Sequence, residues 1–343
     1  MNTLIPTIHT APQTQAGALW GGVSFGQALA EGTVKGYSAL QTSGENPSID
    51  AGAYVTIWDG GGTYVAPTVG QMHNVKSTDA QDGATIEATG TVDTATFNTL
   101  TDLGADFVAA GILVNDVVLV DGDLLAASVV NVTATTLTVA AFFELDAGLV
   151  LTPTSGSTYR VIRAVGTGAS WVLLQGQDAA HNEIKEYVVL NGITNVPTVA
   201  EYYRLYKART FGAIGILKLT GVLTATASID ATVSLQVTDG NNQSLMALTT
   251  NPVGKVGYIQ RWWGSLARKK SATAGIRLRV GNFNGFSYVR QSRSLQGQGT
   301  SAFDHQFSVP VKLGPTFDVW VEADVSENAT AISAGFDILY KDI

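Results

Sequence analysis

The chain contains no cysteine, which excludes disulfides, thiolate metal ligands and a cysteine nucleophile. Charge is scarce as well: Asp, Glu, Lys and Arg make up 14% of the 343 residues, against about 25% in an ordinary globular protein, while apolar residues reach 45%. Such a composition suits a chain that hides much of its surface in β-sheet or against neighbouring subunits. Long apolar runs are missing too. The longest, "VAAGILVNDVVLV", is interrupted by Asn115 and Asp116 and falls short of the ~18 residues of a membrane span, so no membrane partner is expected. The opening "MNTLIPTIHT" has no charged segment ahead of an apolar core, so a signal peptide is not expected either.

What the sequence does have is glycine, 37 residues of it, and an uneven distribution of charge. The net charge is -8, yet no Asp or Glu occurs between Gly240 and Phe303. Nine of the twenty basic residues fall in that interval: Lys255, Arg261, Arg268, Lys269, Lys270, Arg277, Arg279, Arg290 and Arg293. A basic segment in an acidic chain favours head-to-tail or layered docking between copies, or docking onto another acidic surface.

The length suggests about two or three units. Residues 1–45 are small and polar with few periodic runs apart from a short helical pattern at "FGQALAEG", and read as an extended arm that orders on a partner. From residue 46 the grammar is β. "AYVTIW" and "TYVAPTV" alternate, with "GENP" and "DGGG" as turns. Between Phe97 and Arg163, five or six short apolar strands are separated by "ND", "DGD", "TATT" and "TSGS", which predicts a small inserted β-barrel over 95–164. The flanking stretches "MHNVKSTDAQDGATIEATG" and "SWVLLQGQDAAHNEIKEYVVLNGITNVPT" read as two parts of one sheet, giving an N-terminal β domain of residues 46–94 plus 165–209. Residues 210–343 then lay down strands every ten to twelve residues, and no helical pattern of ten residues interrupts them. The expected fold is therefore all-β, with a C-terminal antiparallel sandwich of jelly-roll type.

The search for chemistry is mostly negative. "IWDGGGTYVAP" puts Gly60, Gly61 and Gly62 between Trp58 and Tyr64, but without the lysine and following helix of a phosphate loop. It reads as an assembly turn: Trp58 anchors, Asp59 caps amides, and the glycines supply positive φ or close approach to a neighbouring subunit or sheet. "GVSFG" matches the nucleophile-elbow pattern around Ser24, yet the chain offers no strand–turn–helix scaffold for it. His9, His73, His181 and His305 are scattered, and "VDGDLL" lacks the frame of a calcium loop. No catalytic residue, metal or cofactor is expected.

The most informative stretch is "GYIQRWWGSLARKK". In a regular strand Tyr258, Gln260, Trp262, Gly264 and Leu266 share one face, and Ile259, Arg261, Trp263, Ser265 and Ala267 the other. Both faces carry a tryptophan, so one fills the core and the other lies in a contact. In "IRLRV", Ile276, Leu278 and Val280 point in and Arg277 and Arg279 point out. Arg261, Trp262, Trp263, Arg268, Lys269, Lys270, Arg277 and Arg279 are thus the candidate partner-docking residues. The outward arginines suit a solvated face, an acidic protein surface or, less well, nucleic-acid phosphate.

The order "GENPSID…YVTIWDGGGTY", "GQDAAHNEIKEYVVLNG", "PVGKVGYIQRWW" and "FDHQFSVPVKLGPTFDVWVEADVSENATAISAGFDILY" resembles β-rich virion structural proteins of tailed bacteriophages, over most of residues 44–94 and 165–343. The resemblance implies a place in the virion as a non-enzymatic head-decoration, head-fibre or tail-associated protein. Its partners would be further copies of itself, as a homotrimer, and other capsid or tail proteins. The alternative is a receptor-binding adhesin that holds a host glycan, for which exposed Trp171, Trp262 or Tyr288 would be the platform.

Overall fold

The computed structural model describes residues 34–144, 148–212 and 215–343, together with 19–20, 23–24 and 29. Most of the expected arm, nearly all of "FGQALAEG" and the side chains of Ser24 and Lys269 lie outside the described residues. The protein is all-β and every strand pairing is antiparallel, as the alternation implied. Contacts divide the chain into two compact units, residues 1–64 with 246–343, and residues 65–245.

The first unit is a sandwich built around two strands of 27 residues each, Lys255–Gly281 and Ser287–Leu313. A straight strand of that length would run roughly 90 Å. Neither is straight. Lys255–Gly281 pairs first with Thr330–Asp342 and, past its midpoint, with Asp318–Val325. The register against Ser287–Leu313 slips between Arg268 and Ala272, opposite Gly299 and Gly297. Gly299 has a φ of 91°, a backbone that side-chain-bearing residues rarely adopt. The bend brings the two halves face to face: a Cβ placed on Gly264 would lie 2.9 Å from Ile276 Cδ1, and the Arg293 guanidinium reaches Nδ1 of His305 at 3.1 Å. Each long hairpin strand thus turns the corner from one layer to the other, as strands that switch sheets do through bulges.

Between the layers sits one apolar cluster that includes Ile259, Trp262, Leu266, Ile276, Leu278, Val280, Val319, Val321, Phe336 and Ile338. Strict alternation would put Ile259 and Trp262 on opposite faces. A β-bulge between Ile259 and Arg261 resets the parity, so both are buried. Beyond the bend Ile276, Leu278 and Val280 are buried, and Arg277 and Arg279 point away, as expected.

The second unit holds a nine-stranded, nearly closed barrel-like sheet running from Ala84–Thr91 to Thr158–Ala164, around Leu100, Phe107, Val118, Leu125, Leu137, Phe142 and Val161. Two four-stranded sheets complete it. In one, Trp171–Gln177 lies between Glu183–Val189 and Arg204–Gly212. In the other, His73–Ser77 lies between Val196–Pro197 and Leu223–Ala227.

These pairings run across the expected boundaries. Tyr37–Ile49, anticipated partly as arm, is a sandwich strand beside Thr330–Asp342. Residues 210–245, anticipated in the sandwich, belong to the second unit because Leu223–Ala227 pairs with His73–Ser77. The barrel-like sheet takes in Ala84–Thr91, which pairs with Thr158–Ala164. The two stretches expected to form one sheet share strand pairing where Val196–Pro197 joins His73–Ser77 and a single bridge between Gly83 and Asn191, while Trp171–Gln177 goes to another sheet. All of these assignments depend on partners more than a hundred residues away or on unmarked strand ends, which local alternation does not encode.

Candidate functional site

The anticipated docking residues separate by depth. Trp262 is fully buried in the sandwich, edge-on to Phe303 at 4.6 Å, so it is a core residue and no docking anchor. Trp263 is half-buried on the outer face, where its ring lies over Gly335: a Cβ there would come within 2.7 Å of it. Trp171 is also buried, stacked on Phe211 at 4.3 Å, which removes it as a glycan platform. Tyr288 is exposed.

Four of the anticipated arginines already have acidic partners from neighbouring strands. Arg261 grips Asp304 through Nε and a terminal nitrogen, both at 2.8 Å, and reaches Asp337 at 3.6 Å. Its guanidinium holds the Asp304 carboxyl below the usual carboxylate range, while burial pushes that of Asp337 up. Arg268 meets Glu327 at 3.5 Å. Arg277 stacks on the Tyr54 ring at 3.6 Å and shares Glu322 with Arg279, at 3.9 and 3.2 Å. The basic ladder is therefore largely neutralised within its own sheet. Lys270 is exposed.

Three further cations without an acidic partner among the described residues lie together on Ser287–Leu313. Among the described residues that strand pairs with Lys255–Gly281 alone, which leaves its other side without a neighbouring strand in both layers. Arg290, Arg293 and Lys312 are exposed along it, and its one acid, Asp304, is held by Arg261. Arg293 donates to Nδ1 of the His305 ring. Phe286, Tyr288, Val289 and Val309 add exposed apolar surface, with Phe286 at 81% and Val309 at 78%. The charge asymmetry sharpens when counted by unit. Residues 65–245 hold 8 Lys and Arg against 17 Asp and Glu, a net -9, and the rest of the chain holds 12 against 11, a net +1.

A second feature lies wholly inside residues 65–245: a cleft of about 920 Å³ lined by Ile86, Arg160, Lys185, Glu186, Asn191 and Val199 among others. Arg160 is locked to Asp121 by two hydrogen bonds and donates a third to the Tyr187 carbonyl at 2.8 Å. Oε2 of Glu186 accepts from the amides of Val199 and Ala200 at 3.1 and 2.9 Å. Its Oε1 is sealed from solvent without a hydrogen-bond partner. Burial raises the Glu186 pKa, against the two amides and Arg160. Sequence reasoning passed over Arg160 and Glu186 because they arrive from different strands with no motif between them.

The glycine turn resolves as internal packing. Gly61 and Gly62 have φ of 67° and 62°, and Gly60 lies under the Trp58 ring, with its Cβ position 2.2 Å from it. Trp58 packs edge-on against Tyr64 at 5.3 Å and donates from Nε1 to the Gly62 carbonyl at 3.3 Å. Tyr64 continues onto Phe283 and Phe283 onto Trp320. The close approach that requires Gly60 comes from the neighbouring tryptophan itself, and the flanking strand ends at Thr56. Among the described residues no three His, Asp or Glu side chains gather as a metal site.

What the fold and these features define is a two-unit all-β chain whose described residues present an open, cationic strand edge at Ser287–Leu313. No family model matches the chain, and no curated protein does. Among solved structures, it is similar to Arthrobacter globiformis T6 isomalto-dextranase complexed with panose. That match has a TM-score of 0.21 and 12% identity, covers 78% of this chain, and spans 36% of the other. A TM-score that low establishes neither a shared fold nor an activity.

Proposed function

We propose that the chain is a non-enzymatic structural subunit of a phage-type virion, which assembles with copies of itself, as a homotrimer, and docks on other capsid or tail proteins as a decoration, cement or fibre-like component. The observation that carries this reading is the open edge of Ser287–Leu313, a long row of backbone donors and acceptors flanked by exposed Phe286, Tyr288, Val289 and Val309. A strand edge can template pairing with another chain, and the exposed apolar residues beside this one favour a partner there. The neutralised arginine ladder supports the same reading from the other side, since Arg261, Arg268, Arg277 and Arg279 serve the sandwich. Light scattering on the purified chain should give the mass of a stable oligomer, three copies being expected, and removal of residues 1–33, ahead of the sandwich strand Tyr37–Ile49, should abolish attachment to particles. A monomer at all concentrations, whose attachment survives the truncation, overturns the proposal.

The second reading, an adhesin for a host surface glycan, is favoured by the cleft. Its Arg160–Asp121 pair, Lys185 and Asn191 supply donors and acceptors of the kind a polyhydroxylated ligand takes, with Glu186 in the cleft lining. Glycan-array binding that Glu186→Gln weakens would establish it, and an empty array with the intact oligomer would remove it.

A further inference from the structure

We propose that the Ser287–Leu313 edge receives the acidic unit, residues 65–245, of a second copy of this chain, in a head-to-tail contact. This rests on the homo-oligomeric reading above and specifies its contact.

Two observations select the occupant. The first is the sign of the charge. Arg290, Arg293 and Lys312 stand exposed on the edge with no acidic partner among the described residues, while residues 65–245 carry a net -9 and their own unit a net +1. Edge-to-edge pairing of two identical copies of this strand would bring like charges together, which disfavours a symmetric contact. The acidic unit of another copy meets no such repulsion. The second is the form of the edge. Pro310 and the irregular register between Ile259 and Arg261 interrupt the Val309 end, so the edge does not accept an arbitrary long strand. What remains is a charge-matched, partly apolar strip with Phe286 and Tyr288 at one end and Val309 at the other.

A contact between unlike surfaces is heterologous, and heterologous contacts close into rings when the rotation permits. A three-membered ring is the homotrimer proposed above. Each copy would then give its edge to one neighbour and its acidic unit to the other.

The test uses the full chain. Mixed isotope-labelled and unlabelled protein is treated with a zero-length carbodiimide, which joins lysine amines to carboxylates, and inter-copy links are read by mass spectrometry. Lys312 should link to Asp or Glu within residues 65–245, and inter-copy links from Lys312 only to residues 246–343 would overturn the inference. In parallel, Arg290→Gln/Arg293→Gln/Lys312→Gln should weaken association by about 100-fold or more in sedimentation equilibrium, with unchanged thermal unfolding of the dissociated chain. Raising salt from about 0.05 to about 0.5 M should weaken the wild-type oligomer roughly 10-fold, because the contact is exposed to screening. An oligomer that ignores both the triple substitution and salt sinks this contact while leaving the homo-oligomeric reading intact. A wild-type chain that is monomeric throughout sinks both. Loss of co-purifying nucleic acid in the triple variant, with the oligomer unchanged, would assign the edge to phosphate and overturn the inference as well.

Discussion

The two units solve the same problem, an all-β core, and bury different titratable groups in it. In the sandwich Glu322, Asp304, Asp337 and Glu327 hold the outward arginines, and the fully buried Asp318 carboxylate accepts from the Thr250 hydroxyl and, at 2.7 Å, from the Phe283 amide. In residues 65–245 a titratable ring is taken inside. His73 is fully buried; its Nδ1–H donates to the Gln71 carbonyl at 3.1 Å, so Nε2 accepts from the Ser234 hydroxyl at 2.8 Å. Burial drives its pKa down to about 4. The difference teaches that the units meet acid through different groups: the sandwich through the Asp304 carboxylate that Arg261 holds below its usual range, and residues 65–245 through a buried imidazole.

The largest way to break the comparison is through the tryptophans. Trp262→Ala should cost the sandwich about 3–5 kcal/mol, and Trp171→Ala the other unit a similar amount. Hydrogen exchange should report each loss in its own unit, and a loss spread evenly over both would mean that they unfold as one.

Acid comes next. The folded pKa of His73 lies below the 6.5 of the unfolded chain, so its contribution is complete above about pH 6.5 and is lost as pH falls towards 4. The loss reaches at most about 3 kcal/mol, confined to residues 65–245. Denaturant titrations over that range, followed by unit-resolved exchange, should show it, and His73→Gln should flatten the slope whatever it does to absolute stability.

Smaller effects test the turn and the ladder. Gly60→Ala forces a methyl into the Trp58 ring and should cost about 1–3 kcal/mol. Gly61→Val has open space but a positive φ, and should cost about 1–2 kcal/mol from backbone strain alone. Both should lower the melting temperature of the sandwich. The smallest change is expected from Arg261→Ala, at or below about 1 kcal/mol, since that pair is solvent-screened. Arg277→Ala should exceed it, because it also loses the packing on Tyr54.

Much of this was legible in advance. The period-2 runs identify the strands, and the inward set Ile276, Leu278 and Val280 was correctly read. The absence of helical periodicity marks an all-β chain. The continuity of Lys255–Gly281 was not legible, because the basic run "ARKKSAT" looks like a turn and is instead the corner of a bent strand. The choice between Trp262 and Trp263 for the core was not legible either, since a bulge at Gln260 shifts parity without a glycine or proline to announce it. As for the candidate site, the charge asymmetry was visible. Which cations remain unpaired was not, because Asp304, Glu322 and Asp337 reach the arginines from strands distant in sequence, and Glu327 from the turn between two of them.

By itself the sequence determined the strand-forming segments, the poverty of charge and the basic interval after residue 240, because these depend on residue type and local period. Only the tertiary structure decided which strands pair, that two hairpin strands bend through both layers, and that the open cationic edge is Ser287–Leu313 and not the arginine ladder before it. The reason is physical. Sheet pairing and ion pairing are long-range choices among many strands of nearly equal propensity, and the register is set by which apolar faces are buried together.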